Sequence, residues 1–264
     1  MTPRTLIAGF RVAAGLALLS LGLAGCSTVE GGLMEVGLGR HDSATVERYG
    51  ARPDERFPLP ATDISKVDER WLRQRVRFIG SEAPGTIVVD TQARYLYLVQ
   101  DGGKAIRYGI GVGKAGLAFE GEARVGRKAE WPRWTPTRDM IDRDPKRYGD
   151  YAGGLDAGLT NPLGPRALYL YQGDQDTLFR IHGTTEPWSI GKAVSSGCIR
   201  LLNQDIIDLY DRVPTNTQVV VLQDDDGPAY VGSIGRDNRD LRDNRNTRAP
   251  RDNRDFRARA YDDA

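Results

Sequence analysis

From residue 85 to residue 222 the chain alternates short apolar runs with turn residues. Thr86-Ile87-Val88-Val89-Asp90 is a β-branched run, and Arg94 to Val99 is rich in Tyr and Leu. Asp101-Gly102-Gly103 is a hairpin signal, and the alternation over Lys104 to Val112 predicts the return strand. Ala167 to Tyr171, Thr177 to Ile181 and Thr217 to Leu222 read as three further strands. One helix is expected between the last two, with Asn203 as its cap, Ile206, Leu209 and Tyr210 as its buried face, and Pro214 beyond its end. Many short strands with little helix predict a mainly β domain, sandwich-like or barrel-like, over residues 83–224.

The flanks carry a different pattern. Residues 26–82 read as a spacer followed by a short helical segment. Gly31, Gly32, Gly37, Gly39, Pro53, Pro58 and Pro60 with little apolar periodicity predict a tether over 27–62, and Ile64, Val67, Trp71 and Leu72 fall at helical spacing up to Val76. Residues 135–166 interrupt the strands with Gly and Pro, an insertion expected to act as a lid or substrate flap. Residues 225–264 repeat Arg-Asp-Asn-Arg and hold almost no aliphatic side chains. They cannot bury enough surface to offset backbone ordering, and disorder is the expectation.

Composition narrows the function classes. The 264 residues contain 37 Lys+Arg and 36 Asp+Glu, a balance that argues against a nucleic-acid binder. Two Cys and two His exclude a disulfide-dense scaffold and a multi-histidine metal centre, and no metal or cofactor is expected. His41 lies in the spacer without a partner motif. The N-terminus has Arg4 and Arg11, no acid, then a short apolar run from Val12 to Leu23. Twelve helical residues reach about 18 Å, too short to span a bilayer core. The run ends in Leu23-Ala24-Gly25-Cys26 and resembles a bacterial lipoprotein signal over residues 1–25, in which Cys26 receives the lipid. A plain secretory signal is the other reading. Ser27 behind the Cys resembles outer-membrane sorting, so a periplasmic, membrane-anchored location is expected.

One segment concentrates reactive groups: Arg180-Ile181-His182-Gly183-Thr184, then Ser195-Ser196-Gly197-Cys198-Ile199-Arg200-Leu201. A thiol nucleophile needs a base or cation beside it. A helix N-terminus just beyond Cys198 would favour the thiolate, and N–H groups around Gly197 could form an oxyanion hole. Spacing alone favours two structural residues over a catalytic pair.

The segment resembles the catalytic signature of the L,D-transpeptidase (YkuD-like) family, His-Gly-Thr followed by Ser-(His or Ser)-Gly-Cys-(Ile or Val)-Arg. Ser196 stands where His is frequent. The resemblance extends over most of residues 83–224 and includes Gly111-Val112-Gly113, Trp131-Pro132-Arg133-Trp134-Thr135-Pro136 and Asn161-Pro162-Leu163-Gly164. It implies a mixed β-sheet fold and cysteine acyl transfer on peptidoglycan. In that reading Cys198 attacks a stem-peptide carbonyl and His182 is the base. The Gly183 carbonyl holds the imidazole tautomer, and the N–H groups of Gly197 and Cys198 meet the oxyanion. Arg200 either binds a substrate carboxylate or pairs with an acid of the domain. Ser195 and Ser196 are hydrogen-bonding supports, and Trp131 and Trp134 line the donor groove. The acceptor is a second stem's diaminopimelate, a protein lysine or a free D-amino acid. Hydrolysis of the same acyl-enzyme, as an L,D-carboxypeptidase or amidase, and a non-catalytic peptidoglycan-binding lipoprotein are the competing readings.

Overall fold

A computed structural model describes residues 41–113, 121–195, 197–222 and 230–233. Helix α1 (Ser43–Arg48) opens the described chain. Strands β1 (Gln74–Phe78), β2 (Ile87–Asp90), β3 (Tyr95–Gln100), β4 (Lys104–Gly109), β5 (Val112–Gly113) and β6 (Gly121–Glu130) follow. Helices α2 (Arg138–Arg143) and α3 (Pro145–Tyr148) lie in the insertion. The second half holds β7 (Arg166–Gln172), β8 (Gln175–His182), β9 (Ala193–Ser195), β10 (Ile199–Arg200), α4 (Asn203–Arg212), β11 (Gln218–Leu222) and β12 (Tyr230–Ser233).

Ten of these strands form one ladder in the order β10-β8-β7-β6-β11-β2-β3-β4-β1-β12, and β5 pairs with β9 apart from it. β10–β8 and β11–β2 run parallel, while the other pairs in the ladder are antiparallel. The expected mainly β, mixed-sheet class is therefore what the chain adopts. The core lies on one face, where Ile87, Val89, Leu96, Leu98, Leu168, Leu170 and Ile181 meet Ile206 and Leu209 of α4. Val76, Val88, Tyr97 and Val99 pack on the opposite face near β1.

Several elements differ from the sequence reading. The helix expected over Ile64 to Val76 is two separate 3-10 turns, Ile64–Lys66 and Glu69–Trp71, followed by β1. Asp63 and Asp68 each accept a backbone N–H two residues on, which closes a turn and interrupts continuous helix. β1 belongs to the main sheet, so the folded unit begins before residue 83. β6 was not expected at all. Its core face carries only Ala123 and Val125, and charged residues fill the rest. Tyr230–Ser233, inside the stretch expected to be disordered, pair with β1. The rest of residues 225–264 and the signal segment lie outside the described residues.

The spacer reading fails over residues 41–62, which pack against the sheet domain. Tyr49 is buried and donates its hydroxyl to Asp205 Oδ2 at 3.1 Å. Gln204 Nε2 donates to the carbonyls of Gly50 and Pro60. Glu55 accepts from both terminal nitrogens of Arg166, at 2.9 and 2.7 Å. Isolated apolar and acidic side chains anchor the segment, and no periodic face is needed.

Two outcomes follow. Glu55→Ala leaves the Arg166 guanidinium buried without its carboxylate, and denaturant unfolding should show a loss of about 3–5 kcal/mol; an unchanged midpoint would show that the segment is not anchored there. Asp205, fully buried beside Tyr49 and Arg73, has its carboxyl pushed up by burial to about 7. Folded protein then binds more protons than unfolded chain between about pH 4 and pH 7, so this group's contribution to stability falls as pH rises through that window. Calorimetry of Asp205→Asn should show its Tm, relative to the parent, rising between pH 4.5 and pH 7.5. A constant difference would refute the shift.

Candidate active site

β10 is two residues long, and its parallel pairing with β8 places the reactive groups. Ile199 stands opposite Ile181 and Arg200 opposite His182. Ile181 and Ile199 face the core, so their neighbours Arg180, His182, Cys198 and Arg200 fall on the other face. Cys198 and His182 are thus diagonal neighbours across one strand pair. Cys198 is free and half-buried, and His182 is buried.

His182 is fixed from both flanks. Its Nδ1 lies 2.6 Å from the Gly183 carbonyl, which can only accept, so Nδ1 carries the proton and Nε2 the lone pair. The next residue, Thr184, donates its N–H to Asn203 Oδ1 at 2.9 Å. Asn203 therefore ties the loop after β8 to α4. It is the first residue of that helix, whose cap position belongs to Leu202 and has no side-chain cap bond. Burial, aided by the Arg200 charge, pushes His182 down to about 3, although the Gly183 and Pro162 carbonyls favour the protonated ring. Pro162 is delivered by Asn161, whose buried amide donates to the Pro132, Leu155 and Asp156 carbonyls while its Oδ1 accepts from Leu163.

Burial likewise raises the Cys198 thiol, against a backbone hydrogen bond from Arg180 and the charges of Arg180 and Arg200. Both shifts favour the uncharged forms, a thiol and a neutral imidazole. The helix N-terminus expected just beyond Cys198 does not serve it, because β10 and the Leu201-Leu202 pair intervene before α4.

The loop around the thiol is pinned by glycine and serine. Gly197 has φ +131, a region that disfavours side chains. A Cβ on Gly113 would sit 2.7 Å from the Gly197 Cα, so this close approach needs glycine. Ser195 Oγ donates to the Cys198 carbonyl at 2.7 Å and accepts the Gly197 N–H at 3.2 Å. Ser195 therefore makes two hydrogen bonds to the backbone at the thiol-bearing loop. The Gly197 N–H, expected at an oxyanion, is committed to that hydroxyl. Ser196 lies outside the described residues, as does Cys26.

Arg200 is paired. Its Nη1 lies 2.7 Å from Glu186 Oε2, and Glu186 Oε1 lies 3.6 Å from Arg147 of α3. The insertion thus reaches the site through one carboxylate. Sequence reasoning missed Glu186 and Arg180. Glu186 had a signal, being the sole acid between Gly183 and Arg200. Arg180 had none, since its role depends on strand register. The expected groove residue Trp131 is corrected: it is only 4% exposed, donates its indole N–H to Glu55 at 2.8 Å and packs edge-on against Phe57. It anchors the N-terminal segment. Trp134 is half-buried and clusters with Tyr148 and the exposed Tyr151 in the insertion. No cluster of His, Cys, Asp and Glu suited to a metal occurs among the described residues.

Comparison with known proteins places this geometry. The L,D-transpeptidase catalytic domain (YkuD) profile matches residues 84–221. The probable L,D-transpeptidase ErfK/SrfK of Escherichia coli K12 is 36% identical over 203 residues, covering 70% of this chain and 64% of that protein. The probable L,D-transpeptidase YbiS of the same strain is 34% identical over 137 residues, 51% of this chain and 43% of that protein. The chain thus spans about half to two thirds of these relatives' length. A crystal structure described as a probable carnitine operon oxidoreductase from Brucella melitensis is 53% identical, covering 61% of this chain and 99% of that one, with a TM-score of 0.41. An L,D-transpeptidase from Mycobacterium smegmatis is 20% identical, covering 52% of this chain and 58% of that one, with a TM-score of 0.40. On the profile match, which covers the whole Cys198–His182 site, this chain belongs to the L,D-transpeptidase (YkuD) family.

Proposed function

We propose that the protein is a cell-wall L,D-transpeptidase that transfers a peptidoglycan stem-peptide acyl group to an amine through Cys198. The observation that carries this reading is the buried neutral His182, held by the Gly183 carbonyl at 2.6 Å with its Nε2 lone pair left as the base. Cys198 attacks the stem carbonyl as its proton passes to His182. The imidazolium so formed is supported by the Gly183 and Pro162 carbonyls. The imidazolium gives its proton to the departing amine of the terminal residue as the tetrahedral species collapses to the thioester. The neutral His182 so regenerated takes a proton from the acceptor amine as it attacks and frees the Cys198 thiol. The Cys198 N–H replaces Gly197 as the backbone donor to the oxyanion. Arg200 receives a substrate carboxylate in exchange for Glu186, and Trp134 borders the donor site. Lipid on Cys26 holds the domain at the membrane of a periplasmic compartment; the support is the sequence over residues 12–26.

Purified chain incubated with tetrapeptide-rich sacculi should yield cross-linked or amine-exchanged muropeptides. Tripeptide alone would mark hydrolysis instead. Cys198→Ala should lower turnover by at least about 10³-fold with an unchanged circular dichroism spectrum, and full retained activity would overturn the nucleophile. The neutral resting pair also fixes a pH profile. With the His182 pKa lowered to about 3 and the thiol raised, both groups keep their reactive protonation state from pH 5 to pH 8. A kcat/KM flat over that range is expected; an inflection near 6.5, the ordinary histidine value, would contradict it.

A further inference from the structure

The sheet face that carries Cys198 also presents a row of side chains that the acyl transfer leaves unused. The row centres on Tyr169 of β7. Both neighbouring ladders break their register beside it. Toward β6, Val125 faces Leu170 and Arg127 faces Tyr169, so Gly126 is an extra residue. Tyr171's ring occupies the space a Gly126 side chain would need, with a ring carbon 2.3 Å from the Cβ position. Toward β8, Asp176 faces Tyr171 and Arg180 faces Tyr169, so Thr177 to Phe179 stand opposite a single residue. Leu178, in that bulge, has φ +62 and is 62% exposed.

Uninterrupted ladders would have set Gly126 and Leu178 beside Tyr169. The two bulges set an arginine there from each side. The Arg127 Cζ lies 3.4 Å from the Tyr169 ring centroid and the Arg180 Cζ lies 4.2 Å from it. The two arginines are not equivalent. Arg180 is held by both oxygens of Asp176, at 2.7 and 2.9 Å. Arg127 is exposed, and no carboxylate lies within 4.0 Å of it among the described residues. The row therefore carries two cations, one anion and a guanidinium plane laid on an aromatic face.

Two strand spacings of about 4.8 Å separate Tyr169 from the Cys198 position, about 10 Å across the sheet. An extended peptide covers that in about three residues. We propose that Arg127, held on Tyr169, is a subsite for a carboxylate on the donor peptide, two to three residues from the carbonyl that meets Cys198. One uncompensated charge in a planar fork matches a single carboxylate. The inference rests on the acyl-transfer reading for its direction along the peptide.

The test uses two synthetic tetrapeptides that differ only in a free carboxylate or a carboxamide on the side chain of the first residue, two before the residue whose carbonyl meets Cys198. Binding is measured by calorimetry on the Cys198→Ala chain, where no turnover intervenes. The carboxylate peptide should bind about tenfold more tightly. Adding R127Q should abolish that preference by weakening the carboxylate peptide alone, and R127K should keep part of it. Salt at 0.5 M should narrow it. R124Q, which alters a neighbouring surface arginine paired with Asp174, should leave it intact. Equal binding of the two peptides, or equal weakening of both by R127Q, would overturn the subsite. Neither result bears on whether Cys198 is the nucleophile, which the sacculus assay decides separately.

Discussion

Two residues of parallel pairing set the chemistry of this domain. β10 sits at the edge of the ten-stranded ladder and pairs there with β8, and that pairing decides which residues flank the thiol. Shifting it by one position would turn Arg180 and His182 away and bring Ile181 to the site. Each neighbouring feature holds the pairing from a different side. Arg200 exchanges backbone hydrogen bonds with Gly111 at 2.8 and 2.9 Å, and the Leu201 N–H reaches the His182 carbonyl at 2.8 Å. Gly113 approaches Gly197, the residue before the thiol, so closely that a side chain on Gly113 would meet its Cα. Short strands are weak alone, so this one depends on a loop on each flank.

The same face explains the electrostatics. Arg180 and Arg200 surround a buried imidazole and a half-buried thiol. Both cations oppose a proton on His182, and both favour a thiolate at Cys198, but burial outweighs them at the sulfur. The thiol and the imidazole themselves rest uncharged among these ions, and charge develops on them as bond formation moves the proton. Glu186 tempers the positive field at Arg200 and links it to Arg147 in the insertion. A substrate that loosens the Glu186 contact would also strengthen the local positive potential where negative charge develops.

Much of the sheet was legible because its central strands are runs of Val, Ile, Leu and Tyr. Ile87–Asp90, Tyr95–Gln100 and Gln218–Leu222 fall within a residue or two of their predicted bounds. β6 was illegible because Arg, Lys and Glu stems cover its open side and only Ala123 and Val125 face the core. The N-terminal segment misled for a related reason. Its glycines and prolines outnumber its anchors, but Tyr49, Glu55 and Leu59 are each placed where the domain has a matching gap. At the site, Cys198, His182, Gly183 and Ser195 could be named because the family resemblance rests on two short contiguous stretches, 182–184 and 195–200. Glu186 and Arg180 depend on strand register and side-chain reach, and Trp131 on a partner 76 residues away.

The docking of residues 41–62 enlarges the unit that has to be kept whole. The family match spans residues 84–221, yet Arg166 within it takes its carboxylate from Glu55, and Asp205 takes a hydroxyl from Tyr49. A fragment cut at the family boundary would strand both buried charged groups without those partners. The smallest autonomous form of this catalytic domain therefore has to start upstream of the segment that defines its family.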